Sequence, residues 1–176
     1  MARPTIDNIR GIKDFATNYR WDMTINFPQA LAGLDTEDYN FRCESAEMPL
    51  ATNTLMEANI RGHKVKQSGI LAYQGELTLN FIETVDSKIS DLIKAWRDAC
   101  WKANTGVATS QVALEGSITL QRLDSQDQVV WIYTLFGVFL STYDPGGQLV
   151  GDGGDLIRPT MTISYDYFKD GRTAVT

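Results

Sequence analysis

The chain has 176 residues, 43% of them hydrophobic and 22% charged, with a formal net charge of −6. This length and apolar content suit one globular domain with a substantial core and argue against wholesale disorder. The acidic balance excludes a protein that grips nucleic acid through Lys and Arg on phosphates, though not one that touches DNA without holding it. No apolar run approaches a membrane span, and the opening MARPTIDN lacks the apolar core of a signal peptide. The chain therefore reads as made and folded in cytoplasm. Cys43 and Cys100 are too few for a disulfide framework and read as two buried thiols. With one histidine (His63) and no CxxC, no metal or cofactor site is expected.

In chain order, residues 1–18 show no clean period and read as an N-terminal arm. Residues 19–27 alternate, with Tyr19, Trp21, Met23, Ile25 and Phe27 on one face and Arg20, Asp22, Thr24 and Asn26 on the other, as in a half-buried strand. Residues 28–38 read as a turn region. A second strand is expected over 39–47, stopped by Pro49. Residues 50–74 are long and polar with sparse apolar side chains, which predicts a projecting hairpin turning at Arg61–Gly62 or Ser68–Gly69. Such a hairpin has too little apolar surface for a core of its own and needs a partner or stays mobile. Residues 75–84 alternate again, with Leu77, Leu79 and Phe81 inward and Glu76, Thr78 and Asn80 outward.

The stretch 86–103 is the one long helix. Ile89, Leu92, Ile93, Trp96, Ala99, Cys100 and Ala103 fall on one stripe, with Lys88, Asp91, Lys94, Asp98 and Lys102 opposite. Asp86 or Ser87 is expected to cap its start and Gly106 to end it, with Asp98 and Lys102 forming a surface pair. Trp101 projects off the stripe. A polar linker over 104–116 leads to a strand over 117–123. Residues 129–140 are apolar on both faces, which predicts a central strand covered on both sides. Residues 141–155 read as a flexible Gly-rich loop. The last strand, 159–168, alternates Met161, Ile163, Tyr165 and Tyr167 against Thr160, Thr162, Ser164 and Asp166; residues 170–176 are a tail. The fold class is mainly β: a sandwich or partly closed barrel of two antiparallel sheets with one flanking α-helix. The domain spans 19–169, including the 50–74 hairpin.

Tests for chemistry come back empty. The glycines over 146–154 lack the Lys-Ser/Thr of a phosphate loop and carry Asp152 and Asp155 instead, and GDGGD lacks calcium-loop spacing. His63 has no Ser or Cys in a nucleophile setting, and reads as decoration of the hairpin. The carboxylates of Glu44 with Glu47, and of Asp35 with Glu37 and Asp38, read as solvated surface. The outward strand faces are rich in Thr, Ser, Asn, Asp and Glu and nearly free of Lys and Arg, apart from Arg20. They suit an ordinary wet face, or a neutral-to-acidic surface that faces a polyanion without binding it.

Three segments carry a resemblance. Phe41-Arg42-Cys43-Glu44-Ser45-Ala46-Glu47-Met48-Pro49 precedes a long polar excursion; Glu76-Leu77-Thr78-Leu79-Asn80-Phe81 leads through Asp86 into a helix with a central Trp96; and Thr160-Met161-Thr162-Ile163-Ser164-Tyr165-Asp166-Tyr167 closes the domain. In order and spacing, over roughly residues 19–169, these resemble the tail tube proteins of contractile-tailed bacteriophages. The Gly-rich 141–155 loop is not a feature of that resemblance.

The resemblance implies a structural, non-enzymatic virion protein. It would form six-fold rings stacked into a tube inside a contractile sheath, assembled in the host cytoplasm. Its implied partners are further copies of itself, the sheath, baseplate and tail terminator proteins, a tape measure protein in the lumen, and DNA in transit. Four strands from each of six subunits would close a barrel of about 24 strands and about 45–50 Å backbone diameter, wide enough for a duplex. Asp22, Glu76, Thr78, Asn80, Thr160, Thr162, Ser164 and Asp166 are the candidate lumen-facing residues. Leu55, Met56, Ile60, Ile70 and Leu71 of the hairpin are candidates for ring-to-ring or sheath contacts, with the N-terminal arm. Trp101 is assigned to a neighbouring subunit or the sheath. Alternatives are a baseplate–tube junction protein, the tube of a DNA-free tailocin or secretion system, and, more remotely, a small-ligand barrel whose pocket the 129–140 strand lines.

Overall fold

Period-two alternation draws most of the chain into antiparallel strands, and one amphipathic helix closes the core they enclose. The computed structural model describes residues 5–11, 15–33, 36–147, 151 and 154–172. Much of the 1–18 arm, Asp35, residues 148–150, Asp152 and residues 173–176 of the tail therefore lie outside the described residues. In chain order the elements are α1 (Ile6–Arg10), β1 (Trp21–Asn26), a 3-10 turn (Gln29–Leu31), α2 (Thr36–Phe41), β2 (Cys43–Ala46), β3 (Ala51–Ile60), β4 (His63–Tyr73) and β5 (Glu76–Phe81). Then come α3 (Lys88–Cys100), β6 (Trp101–Lys102), β7 (Val107–Ala108), α4 (Gln111–Leu114), β8 (Gly116–Leu123), β9 (Val129–Asp144), β10 (Thr160–Ser164) and β11 (Tyr167–Gly171).

Two four-stranded layers share one strand. Strands β1, β8, β9 and β11 form the first layer, and β9, β10, β5 and β2 the second. β9 is 16 residues long. Its first part pairs with β8 up to Val138; on its other edge, 132–136 pair with β11 and 139–144 with β10. The ladder with β8 shifts beside Gly137, which has φ +67°. A Cβ there would sit 2.3 Å from Asp166 Oδ2, so the crossing from layer to layer needs a glycine.

The core merges both layers with α3. Met23, Ile25, Leu77, Leu79, Phe81, Ile118, Leu135, Val138, Met161 and Ile163 are buried together with Ile89, Leu92, Ile93 and Trp96. Trp96 meets Phe27 edge-on at 5.9 Å, and Phe27 meets Tyr39 at 5.6 Å. Each such side chain contributes roughly 1.5–3 kcal/mol on burial. Cys43 and Cys100 are free thiols, each partly buried. Burial pushes the Cys43 thiol up to about 12 and raises that of Cys100.

The structure corrects several sequence expectations. Residues 39–41 belong to a short helix, and the strand begins only at Cys43; α2 packs on β1, with the Asn40 side chain accepting the Ile25 N–H at 3.2 Å. The strand expected over 129–140 to be covered on both faces runs on to Asp144; its first two residues, Val129 and Val130, are 42% and 44% exposed, whereas 131–140 are all buried or half-buried. The loop expected over 141–155 therefore starts after Asp144. The single strand over 159–168 is two strands, because the chain changes layer at Tyr165–Asp166. The long helix covers 88–100, not 86–103, and among the described residues three shorter helical segments and a 3-10 turn accompany it.

The start of α3 is capped from further upstream than its spacing predicts. Ser87 is the N-cap residue but has φ 54° and makes no side-chain cap bond. Instead the Glu83 carboxylate accepts the Ile89 and Ser90 N–H groups at 3.3 and 2.9 Å, and the Ser90 hydroxyl at 2.6 Å. Asp86 faces Arg42, which also pairs with Asp38 at 3.0 Å and bonds Thr84. Lys88 pairs with Asp38 as well. At the other end, Lys102 lies outside the helix, and Asp98 pairs with Arg97 at 3.2 Å.

Two predictions follow from this cap and this ion cluster. Glu83→Ala should lower the unfolding free energy by about 1–2 kcal/mol, the usual worth of a lost cap, while Ser87→Ala stays within about 0.5 kcal/mol; urea midpoints decide between the two caps. Hydrogen bonds from Arg42 and Thr84 hold the Asp86 carboxyl at about 2, and Lys88 and Arg42 lower that of Asp38. Both folded-state values lie below the usual carboxylate value of about 4, so their stabilisation is present above pH ~4 and is lost as pH falls toward ~2. Arg42→Ala should flatten the decline in urea midpoint across that window, modestly because the groups are partly exposed.

Candidate assembly surfaces

The outer face of the second layer is built by strand alternation. With Leu77, Leu79, Phe81, Met161 and Ile163 turned into the core, the intervening side chains of β5 and β10 turn out. The register sets Thr160 beside Asn80, Thr162 beside Thr78, and Ser164 beside Glu76. Six of the eight candidate lumen residues therefore share one face. The Thr160 hydroxyl donates to Asn80 Oδ1 at 2.8 Å, and Asn80 Nδ2 donates to the Ser45 hydroxyl at 2.9 Å. On the other flank, Thr142 of β9 lies beside Thr162, and Ser141 Oγ reaches Glu76 Oε1 at 3.4 Å. The middle of this face is a lattice of hydroxyls and one amide, with no Lys or Arg among these paired positions.

The other two candidates stand apart. Asp22 lies on the first layer opposite Gln121, and its carboxylate accepts the Met23 N–H at 2.8 Å. Asp166 sits in the crossover between β10 and β11, packed against Gly137. Sequence reasoning missed Ser45 and Thr142. Ser45 lay in a strand given the wrong start, and Thr142 in a segment read as loop, where an irregularity between Leu140 and Thr142 breaks the alternation that would have carried the strand on.

The sheet edges differ in a way that matters for association. Among the described residues, β2 pairs only with β5, and 139–144 of β9 only with β10, so both edges of the second layer offer backbone with no strand partner there. The free edge of β1 is blocked: its Met23 and Ile25 N–H groups are taken by Asp22 and Asn40 side chains. Strands β9, β10, β5 and β2 alternate in direction. With four strands, the two outer strands of this layer, β9 and β2, run in opposite directions.

The hairpin of β3 and β4 turns at Arg61–Gly62, the first of the two turns expected, with φ 49° and 85°. Its register puts Met56, Ala58, Ile60 and Val65 on one face. Leu55, Glu57, Lys64, Lys66 and Leu71 lie on the other, where Glu57 pairs with both lysines, Lys66 at 3.4 Å. Leu55, Met56, Ile60, Ile70 and Leu71 are all exposed, Ile70 by 79%. The root is fixed to the body, where Tyr73 meets Phe168 at 5.3 Å and Gln74 N–H bonds to Leu50 O. Trp101 is 57% exposed, not on the helix but in the β6–β7 ladder, opposite Ala108 and next to an equally exposed Val107. His63 opens β4 and is exposed. Among the described residues no cluster of His, Cys, Asp and Glu is suited to hold a metal ion.

No protein-family model and no curated protein matches the sequence. Solved structures do match. A chain of the anti-feeding prophage cap, the tube-terminating cap, superposes with a TM-score of 0.69 at 11% identity, covering 93% of this chain and 95% of that one. A chain of the anti-feeding prophage baseplate gives 0.63 at 12% identity, covering 90% and 97%. A chain of an extracellular contractile injection system, the PVC sheath–tube complex in its extended state, gives 0.62 at 11% identity, covering 97% and 100%. At such identities the likeness is one of fold. The chain has the tail-tube fold of contractile injection system components, which agrees with the resemblance read from its three segments.

Proposed function

We propose that this chain is a structural tube subunit of a contractile injection system or contractile phage tail, forming six-fold rings that stack inside a sheath. The observation that carries the reading is the second layer: four alternating strands, two bare edges and a hydroxyl-rich outer face. Pairing β2 of each copy with β9 of the next satisfies the open backbone and closes about 24 strands. Glu76, Thr78, Asn80, Thr160, Thr162 and Ser164 then face the lumen with Ser45 and Thr142. A wall of hydration and carboxylate, with no Lys or Arg at its paired strand positions and Arg158 held by Glu44 beside it, lets a polyanion or tape measure protein slide. Asp22 and Asp166, on separate surfaces, are not part of that wall in this reading. The sheath is the proposed partner of Trp101, and baseplate and terminator proteins those of the tube ends.

A second reading has its own support. The cap and baseplate chains share this fold, so a terminal or junction ring is the alternative role. Copy number per particle separates the two, since a tube subunit outnumbers a single ring many-fold.

Negative-stain microscopy of the purified protein, with light scattering across concentration, tests the proposal. Rings or hollow rods with six-fold end views are expected; a monomer at every concentration, even when mixed with baseplate components, sinks it. Deleting residues 53–71 should leave a folded protein that forms rings but no rods, and normal rods would remove the hairpin from stacking. Trp101→Ala should leave rods intact and weaken sheath binding; unchanged binding counts against that assignment.

A further inference from the structure

The hairpin and the rest of the chain carry opposite charge. Segment 50–74 holds Arg61, Lys64 and Lys66 against Glu57, a net of +2, so the remainder carries −8. Lys64 and Lys66 are held by Glu57 within the hairpin. Arg61 makes no ion pair among the described residues and stands at the tip with φ 49°, a left-handed conformation that Asn or Gly adopts more readily than Arg. An arginine standing where the turn favours a smaller residue points to a contact made by its side chain. Ile60, beside it, is 59% exposed. Beyond the root, the two hairpin strands pack on each other.

The body offers a recess of opposite charge. A recess of about 520 Å³ lies at the bend between the layers, lined by Phe27, Val112, Glu115, Phe136, Asp166 and Tyr167. Phe136 and Tyr167 stack at 5.0 Å and 17°; Tyr167 is 40% and Val112 84% exposed. Glu115 and Asp166 make no ion pair among the described residues. Lys169 lies over the Phe136 ring at 5.4 Å, leaving two carboxylates against one ammonium. A guanidinium entering here can bond a carboxylate while lying on the Tyr167 ring, and an adjacent isoleucine can cover Val112 and Phe27.

We infer that the Ile60–Arg61 tip of one copy docks into the Glu115–Asp166 recess of a second copy, an inference that rests on the tube-subunit reading. Tip and recess are different surfaces of the same chain. The contact is therefore head-to-tail: each copy keeps one free tip or one free recess, and the association propagates instead of closing as a dimer. Charge complementarity steers it and makes it salt-sensitive.

The test is cross-linking between copies in a Cys43→Ala, Cys100→Ser background, which removes both native thiols. Ile60→Cys protein is mixed with Val112→Cys protein and treated with a short bismaleimide; Asp127→Cys serves as the control acceptor. The 60–112 product should exceed the 60–127 product at least about fivefold at ~50 mM salt and fall several-fold at ~0.5 M. Adding Arg61→Asn should cut the 60–112 yield about tenfold while the urea midpoint holds or rises, because Asn suits the turn better. Arg61→Glu should abolish the product and Glu115→Arg in the acceptor should restore it. A 60–112 yield no higher than 60–127, or one indifferent to Arg61→Asn, overturns the docking. If microscopy of the wild-type sample shows rings in that case, the tube reading stands and only the docking falls; a monomer with no cross-link overturns both.

Discussion

Both layers depend on one strand, because β9 supplies hydrogen-bonding edges to β8, β10 and β11 along its length. A strand twisted into two layers must bend, and the bend falls at Gly137, where the left-handed φ and the Asp166 side chain leave no room for a Cβ. The partner chain changes layer at the same height, between β10 and β11. The core fills the angle that this paired bend opens, and α3 closes it with Ile89, Leu92, Ile93 and Trp96. Without the bend the first layer could not fold over the second, and the Leu77 and Ile118 faces would not meet.

The same bend decides which edges stay open. By turning away from β8 after Val138, β9 exposes residues 139–144 as a bare edge, and β2 provides another three strands away. Exposed edges are hazards in a soluble monomer, and proteins usually block them. Asp22 and Asn40 block β1, whereas the two edges of the other layer have no strand partner among the described residues. That asymmetry fits a surface kept available for copies of itself. The exposed aliphatic residues of the hairpin follow the same logic, since a lone two-stranded ribbon with Met56, Ile60 and Ile70 in water gains stability only from a partner.

Much of this was legible in the residues. Alternation located β1, β5 and β8 within a few positions, the Arg61–Gly62 pair marked the hairpin turn, and the helical stripe identified the four α3 side chains that are fully buried. Period-two reasoning turned six of the lumen candidates outward, and they fall on one face. Alternation says nothing, however, about which layer a strand joins. Asp22 and Asp166 obeyed the same outward rule as the others yet lie on different surfaces, and the helix cap passed to Glu83 because a carboxylate four positions upstream of the N-cap is set in place by the chain's path into the helix.

The sequence by itself determined the class of the fold: a mainly β chain with one amphipathic helix, a projecting polar hairpin and an acidic balance. Those are properties of local period, turn chemistry and composition, and each is set by residues close together along the chain. Only the tertiary structure decided which edges are bare, which polar faces coincide, that β9 serves two layers and that a recess flanked by Glu115 and Asp166 forms at the bend. These depend on contacts between residues far apart in sequence, such as Gly137 with Asp166 and Ile25 with Asn40. No local pattern encodes such contacts, because the backbone must first fold over itself to bring them together.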